Sequence, residues 1–435
     1  MHILFTNNTL DSFAGSELYI YDLARELKAR NHQITCFTLN AGKVADKLKE
    51  FGIETTNDLS TVKDIDVIHA HHRHEFKIAA AYFPFTPLVY VSHGPLHPQE
   101  RPTGGKNLIT RYVAVSEAVG KLLIETEGIS PDLIDIVPNF ADIPRFTAKN
   151  RIAEKPQRVL INSSYYEIND IIREACTLAG IQEIEKIGAP SKLVWDVENY
   201  IERADLVITV GKGAIEAMAM GRAVIVYRPV GADGMVTTEN FEKLCANNFS
   251  SLAFSFHYDA AQLAAEINKY NREDAEAVMY RVRQEMDVSC AADKLLNVYK
   301  RAIADFQSRW TAAAYLEKTQ AMLKDLGDYL IFLKDQDTNS AGLLVKKNRL
   351  FEKVLDAPNL SKELQSYIET IFYEFTTLET TYNHAAQDFK TLEAHNRELK
   401  ALLDKISAGR VMRLMGFVSN ARKKFKLLFI KKASF

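Results

Sequence analysis

The chain has 435 residues, 47% hydrophobic and 25% charged, with a formal net charge of −2; that length suggests two or three domains of ordinary globular composition. Its four cysteines, Cys36, Cys176, Cys245 and Cys290, form no CxxC pair, which argues against a disulfide framework or zinc ribbon and for reduced thiols in a cytoplasm. The opening MHILFTNN has no basic n-region, so no secretory signal is expected, and no run reaches the roughly 18 apolar residues of a spanning helix; any membrane contact is expected to be peripheral.

From the N-terminus, HILFT reads as a strand. SELYIYDLARELKAR reads as a helix whose Ile20, Leu23, Ala24 and Leu27 share one face at i, i+3, i+4 and i+7 spacing. QITCFTL, DVIHAH, LVYVSH and RYVAVS follow as further strands. Strands alternating with helices predict a parallel sheet covered on both faces over residues 1–150. The mostly polar stretch 147–158, with Pro156, reads as a linker. The pattern restarts over residues 151–306, with RVLINSS, EIEKIG, DLVITVG and AVIVYR as strands and helices over 168–180, 194–203 and 213–220. The expected fold class is α/β, with two Rossmann-like domains in tandem. Ligands bind such sheets beyond the carboxyl ends of the strands, so facing domains place a cleft between two binding edges.

From about residue 293 the strands stop, and a helical extension is expected over 307–360. DAPNLS at 356–361 breaks it, with Ser361 as an N-cap. A seam then runs over 361–406: Leu364, Ile368, Ile371, Phe375, Leu378, Tyr382, Ala385, Phe389, Leu392, Asn396, Leu399, Leu403 and Ile406. Its steps alternate four and three, a coiled-coil period, and Asn396 falls at an a position. A homodimer through 361–406 is expected; an intramolecular helical hairpin is the alternative. Residues 405–435 hold nine Lys or Arg and no Asp or Glu, interleaved with Val411, Leu414, Met415, Val418, Phe425, Leu428 and Phe429. This basic amphipathic tail, set apart as 407–435, suits an anionic membrane surface. A solvated basic end or a nucleic-acid contact is the alternative, and no other feature points to nucleic acid.

Two loops carry candidate binding chemistry. FAGSELYIYDL puts Gly15 and Ser16 at the mouth of a helix, where free amides and the dipole favour an anion; a glycine turn with a serine cap is the plainer reading. In DLVITVGKGAIEAMAMGRAVIVY, Gly211, Lys212 and Gly213 form a loop that lets backbone approach a ligand closely. Glu216 lies in the first turn of the next helix, where its carboxylate can accept hydrogen bonds from two neighbouring sugar hydroxyls or merely complement the helix dipole.

IEAMAMGRAVIVY resembles the signature of GT-B glycosyltransferases of glycosyltransferase family 4. FAGSE, DVIHAHH, YVSHG, VAVSEAV and VPNFAD resemble that family's landmarks in the same order, over about residues 1–300. The resemblance implies two Rossmann-like domains in the GT-B arrangement and transfer of a sugar from a nucleotide-sugar donor, without a catalytic metal or separate cofactor. It implies that Glu216 holds the donor ribose, that Gly15 and Ser16 sit close to donor and acceptor, and that His93 of SHG is catalytic, beside the reacting sugar. A buried histidine bonded to backbone is the alternative for His93. Ser163, with Gly211 and Gly213, falls to the donor side. Two departures stand out. The family usually carries a Glu eight positions before the second, where this chain has Ile208, and an Arg and a Lys after the second domain's first strand, where NSSYYEIND has neither. Lys212 is the candidate replacement for that positive charge.

Residues 69–74 read HAHHRH, four of the eleven histidines in six positions. His69 and His71 share one strand face by period two, and the segment leaves the strand at its carboxyl end. Zinc needs three or four converging ligands, which neighbours this close on a strand do not easily provide. No metal site is expected; His71, His72 and Asn139 are assigned to the acceptor side or to structure, with general chemistry as the alternative. DID at 64–66 mimics a metal-binding DxD but precedes a strand, and reads as a turn.

The resulting expectation is a cytoplasmic, peripherally membrane-associated glycosyltransferase. Its acceptor would be a glycan or lipid-linked, and the resemblance suggests surface polysaccharide synthesis. The rivals are a nucleotide-sugar epimerase on the same fold and a non-catalytic scaffold working through its coiled coil.

Overall fold

A computed structural model describes residues 1–13, 15–94, 101–102, 106–163, 169–188 and 192–309. The chain divides into the units Met1–Leu333 and Lys334–Phe435, and every described residue belongs to the first. The expected coiled coil over 361–406, the basic tail over 407–435 and the helical extension beyond residue 309 lie outside the described residues.

The first lobe is built on seven parallel strands: β1 (His2–Thr6), β2 (Gln33–Phe37), β3 (Glu54–Thr56), β4 (Val67–Ala70), β5 (Leu88–Ser92), β6 (Arg111–Ala114) and β7 (Ile134–Ile136). They lie in the order β3-β2-β1-β4-β5-β6-β7. The central strands β1, β4, β5 and β6 are buried along their whole length, as a parallel sheet covered on both faces requires. β3 and β7 escape a reading of hydrophobic pattern because they are three-residue edge strands, ETT and IDI, with little apolar signal.

The second lobe has five strands, β8 (Arg158–Asn162), β9 (Glu183–Ile187), β10 (Leu206–Thr209), β11 (Ala223–Arg228) and β12 (Gly231–Met235). Their order is β12-β11-β10-β8-β9, with β12 antiparallel to β11. Period two sorts this sheet into two cores. Val159, Ile161, Leu206, Ile208 and Ile225 pack on one face, and Leu160, Val207, Val224 and Val226 on the other.

Chain order placed residues up to 306 with the second domain. The helix Val288–Arg309 instead returns to the first: Ala292, Leu295, Val298, Tyr299 and Ala302 complete the core built by Ile3, Phe5, Ile68 and Val89. Arg111 on β6 fastens it, with Nη1 2.6 Å from Asp305. The helix's apolar stripe is plain in the sequence, but a stripe does not say which sheet it covers. The two crossings between lobes pair with each other: Ala141 N–H donates to the Met286 carbonyl at 2.9 Å, and Val288 N–H to the Ala141 carbonyl at 3.0 Å.

Candidate functional site

In the first sheet the order turns between β1 and β4, so a crevice opens beyond their carboxyl ends. His71 N–H donates to the Thr6 carbonyl at 3.1 Å, carrying the pairing one residue past β4. His69 and His71 point to the same side and join a chain of hydrogen bonds. Tyr299 Oη is 2.6 Å from His69 Nδ1. His69 Nε2 is 2.8 Å from His71 Nε2, and His71 Nδ1 is 2.6 Å from His93 Nε2. Burial, with the neighbouring imidazoles adding to it, pushes His69 and His93 down to about 3 and His71 well below the usual histidine value. All three are neutral near pH 7. The Tyr19 ring stands edge-on to His93 at 4.9 Å and lies 4.6 Å from Phe140. His72 takes a left-handed backbone, φ 60°, where the chain turns out of the sheet. Among the described residues no group of three or more His, Cys, Asp or Glu is arranged to hold a metal ion; in the histidine chain the nitrogens face one another rather than a common point.

The second lobe presents its own edge where β8 and β10 lie side by side. Thr209 Oγ1, ending β10, donates to the Asn162 carbonyl, ending β8, at 2.7 Å. Gly211 has φ 60°, which favours glycine, and Gly213 opens the helix Lys212–Ala219 against these strand ends. A Cβ on Gly213 would sit 2.7 Å from Thr209 Oγ1 and 3.0 Å from Asn162 Nδ2. Ser163 extends β8, its N–H donating to the Ile187 carbonyl, while Lys186 Nζ donates to the Ser163 carbonyl at 3.1 Å.

Lys212 joins the two edges. Its Nζ donates to Asp22 Oδ2 at 2.7 Å and to the Phe140 carbonyl at 2.9 Å, and lies 3.4 Å from Glu216 Oε1. Asp22 is on the first lobe's helix Gly15–Ala29, so the pair crosses between lobes. Burial opposes the Lys212 charge, but Asp22 and Glu216 outweigh it and its pKa rises. Burial raises the Glu216 carboxyl, against the pull of Lys212. Further cross-lobe contacts are Arg25–Asp142 at 3.0 Å, beside the crossing, Asn139 Nδ2 to Asn248 Oδ1 at 2.9 Å, and Trp195 against Phe13 and Tyr21 at 5.0 and 4.9 Å.

The structure thus gathers His71, His93, Lys212 and Glu216 around Tyr19 and Phe140, and places Asn139 at the crossing between lobes. Gly15 begins its helix with open space where a Cβ would lie. Ser16 Oγ donates to Glu17 Oε2 at 2.8 Å, so the first turn of this helix already holds a buried carboxylate. The departure at Ile208 changes character. Ile208 lies inside β10, fully buried, and only Val210 and Gly211 separate that strand from the helix, so the position eight residues before Glu216 belongs to the sheet core and not to the cleft. The segment 164–168, within the NSSYYEIND stretch that has neither Arg nor Lys, lies outside the described residues. Asp22, Tyr19 and Tyr299 were not singled out from the sequence. None of the three carries a signal: Asp22 falls on the side of its helix away from Ile20, Leu23, Ala24 and Leu27 and reads as a solvated charge, and the other two read as ordinary core aromatics. Three polar atoms at this edge, Asn7 Oδ1, Tyr19 Oη and Asp22 Oδ1, are buried with no hydrogen-bond partner among the described residues.

Residues 13–145 match the model of Glycosyltransferase Family 4. Among solved structures, HepE of Anabaena in complex with UDP is similar at a TM-score of 0.51 and 16% identity, over 69% of this chain and 100% of that one. The same protein with UDP and glucose gives 0.50 at 17% identity over 69% and 100%. A glycosyltransferase from Rickettsia africae gives 0.50 at 15% identity, over 69% of this chain and 98% of that one. At these identities the likeness is one of fold. No curated protein matches the sequence. The chain therefore has the fold of GT-B glycosyltransferases and resembles family 4 across its first lobe.

Proposed function

We propose that this chain is a glycosyltransferase that moves a sugar from a nucleotide-sugar donor to a glycan or lipid-linked acceptor. The observation that carries the reading is the set of buried, unpartnered atoms on Asn7, Tyr19 and Asp22, opposite the buried Glu216 carboxylate across the lobe junction. Buried polar groups are nearly always satisfied, so these atoms are available to the hydroxyls of a ligand bound at the junction. HepE and its complexes with UDP and with UDP and glucose make a uridine diphosphate sugar the first donor to try. Glu216 takes the ribose hydroxyls, and the first-turn amide of Gly213 meets the diphosphate, the Gly211 amide being already given to the Phe249 carbonyl at 2.9 Å. At the anomeric carbon an oxocarbenium-like state forms, as in other glycosyl chemistry. Charge growing on the leaving diphosphate is stabilised by donors already in place. Lys212 serves it only by leaving Asp22. Retention of configuration and the absence of a catalytic metal or cofactor follow from the family resemblance.

The rest of the chain supports a cytoplasmic enzyme at a membrane. Residues 405–435 bind an anionic surface, residues 361–406 join two copies, and the acceptor is then a lipid-linked glycan of surface polysaccharide synthesis. No helix among the described residues is long and apolar enough to cross a membrane. Flotation with anionic liposomes at low salt and the solution mass of a 362–406 deletion test these two segments; no flotation, or an unchanged oligomer, removes them.

Calorimetric titration of nucleoside diphosphates, followed by a donor-hydrolysis assay, tests the central reading. Glu216→Gln should weaken nucleotide binding about tenfold, the worth of one charged hydrogen bond. Failure of every nucleoside diphosphate to bind rejects the reading. One observation favours a second reading: Lys212 is already committed to Asp22, as suits a non-catalytic scaffold. Nucleotide binding without any hydrolysis or transfer supports the scaffold, and donor isomerisation without acceptor supports an epimerase.

A further inference from the structure

The histidine chain has a direction. A neutral imidazole offers one N–H and one lone pair, so each link must be donated from one end and accepted at the other. Two arrangements are possible, one running from Tyr299 to His93 and one running back. Tyr299 decides between them. It is fully buried, and its hydroxyl has His69 Nδ1 as its one hydrogen-bond partner among the described residues. If the chain ran back, His69 Nδ1–H would donate to Tyr299 Oη, and the phenolic hydrogen would be left in the core without an acceptor. Tyr19 Oη is not within its reach, since that atom has no hydrogen-bond partner either. Leaving a buried donor unmade is costly enough to bias the two arrangements about tenfold or more.

With Tyr299 donating, His69 carries its hydrogen on Nε2 and gives it to His71 Nε2. His71 carries its hydrogen on Nδ1 and gives it to His93 Nε2. The lone pair of His93 Nε2 is thereby used, and its hydrogen must sit on Nδ1. His93 lies just past β5, part-exposed, and its Nδ1 has no partner among the described residues. We propose that Tyr299 is a positioning residue that acts through His69 and His71 to hold His93 as the Nδ1–H tautomer, presenting to the bound ligand a hydrogen-bond donor and not a base. Every imidazole lone pair is engaged in this arrangement, so protonating any ring costs a hydrogen bond as well as burial. Burial and the neighbouring imidazoles push all three rings in the same direction. The arrangement gives His93 the role of a neutral donor to an oxygen of the ligand, and removes it as a proton acceptor. That the ligand is a sugar donor rests on the function proposed above; the tautomer does not.

The test is a 15N spectrum of the full chain labelled at histidine, with His93 assigned by His93→Gln. The expected result is His93 with a pyrrole-type Nδ1 and a pyridine-type Nε2 in the ligand-free protein, about tenfold favoured. In Tyr299→Phe the bias falls and the two nitrogens move towards averaged shifts, while circular dichroism stays native. A wild-type His93 protonated on Nε2 overturns the proposal without any variant having to fold. So does a folded Tyr299→Phe whose His93 shifts are unchanged. Neither readout needs sugar transfer, so a failed assay for transfer leaves this result standing.

Discussion

Acid should weaken this protein earlier than its carboxylates alone would dictate, because the first lobe holds a row of neutral imidazoles. In the unfolded chain each histidine titrates near 6.5. In the folded chain burial pushes His69 and His93 down to about 3 and His71 well below its usual value. Since the folded values are the lower ones, the unfolded chain takes up protons first as pH falls. Stability is therefore intact above about pH 6.5 and lost progressively between about 6.5 and 3. For one such group the loss from pH 7 to pH 5 is about 2 kcal/mol. His69 and His71, both fully buried, together lose about 4 kcal/mol over that interval, and the part-exposed His93 adds less. That is a large share of the roughly 5–15 kcal/mol that holds a domain folded. Urea unfolding followed by circular dichroism at pH 7, 6 and 5 reads it as a falling midpoint at constant slope. A midpoint that stays level down to pH 5 would show that these rings are hydrated or already charged, and the buried chain would be refuted.

Other perturbations follow from the same contacts. Lys212→Met leaves Asp22 and Glu216 as buried carboxylates without their shared cation, so thermal stability should drop by about 3–5 kcal/mol. Adding Asp22→Asn should recover part of it, and a melting temperature equal to wild type contradicts the cross-lobe pair. Gly213→Ala forces a methyl to within 2.7 Å of Thr209 Oγ1, an overpacking of about 1–3 kcal/mol in chemical denaturation; a neutral substitution would mean the helix is not seated on the strand ends. Cys36 and Cys176 are buried, and burial pushes their thiols up to about 12 and about 11. They should resist a thiol reagent at pH 8 until urea is added, whereas the less buried Cys290 reacts in the native protein. Equal rates for all four cysteines in the folded chain would count against that burial.

Much of the architecture is local information. The 3.6 period of Ile20, Leu23, Ala24 and Leu27 and the short apolar runs of β1, β4, β5, β8, β10 and β11 are written in the chain. The hydrophobic effect acts on them wherever they fold. The glycines around Lys212 and the acid at 216 were likewise visible as a strand-to-helix loop, and His69 and His71 as one face of a strand. What the sequence could not supply is which elements meet. The stripe on Val288–Arg309 fits either sheet; only packing put Tyr299 beside His69, 230 positions away. Lys212 read as a cation free for phosphate, and only the juxtaposition of the lobes gave it Asp22, 190 positions distant. Ile208 reads as a lost cleft acid in the sequence, but β10 runs through it and buries it in the sheet core. Local periodicity encodes which side of an element is apolar, whereas the charge state of a lysine and the tautomer of a histidine depend on partners brought in by long-range packing. The groups that would bind a ligand are of that second kind.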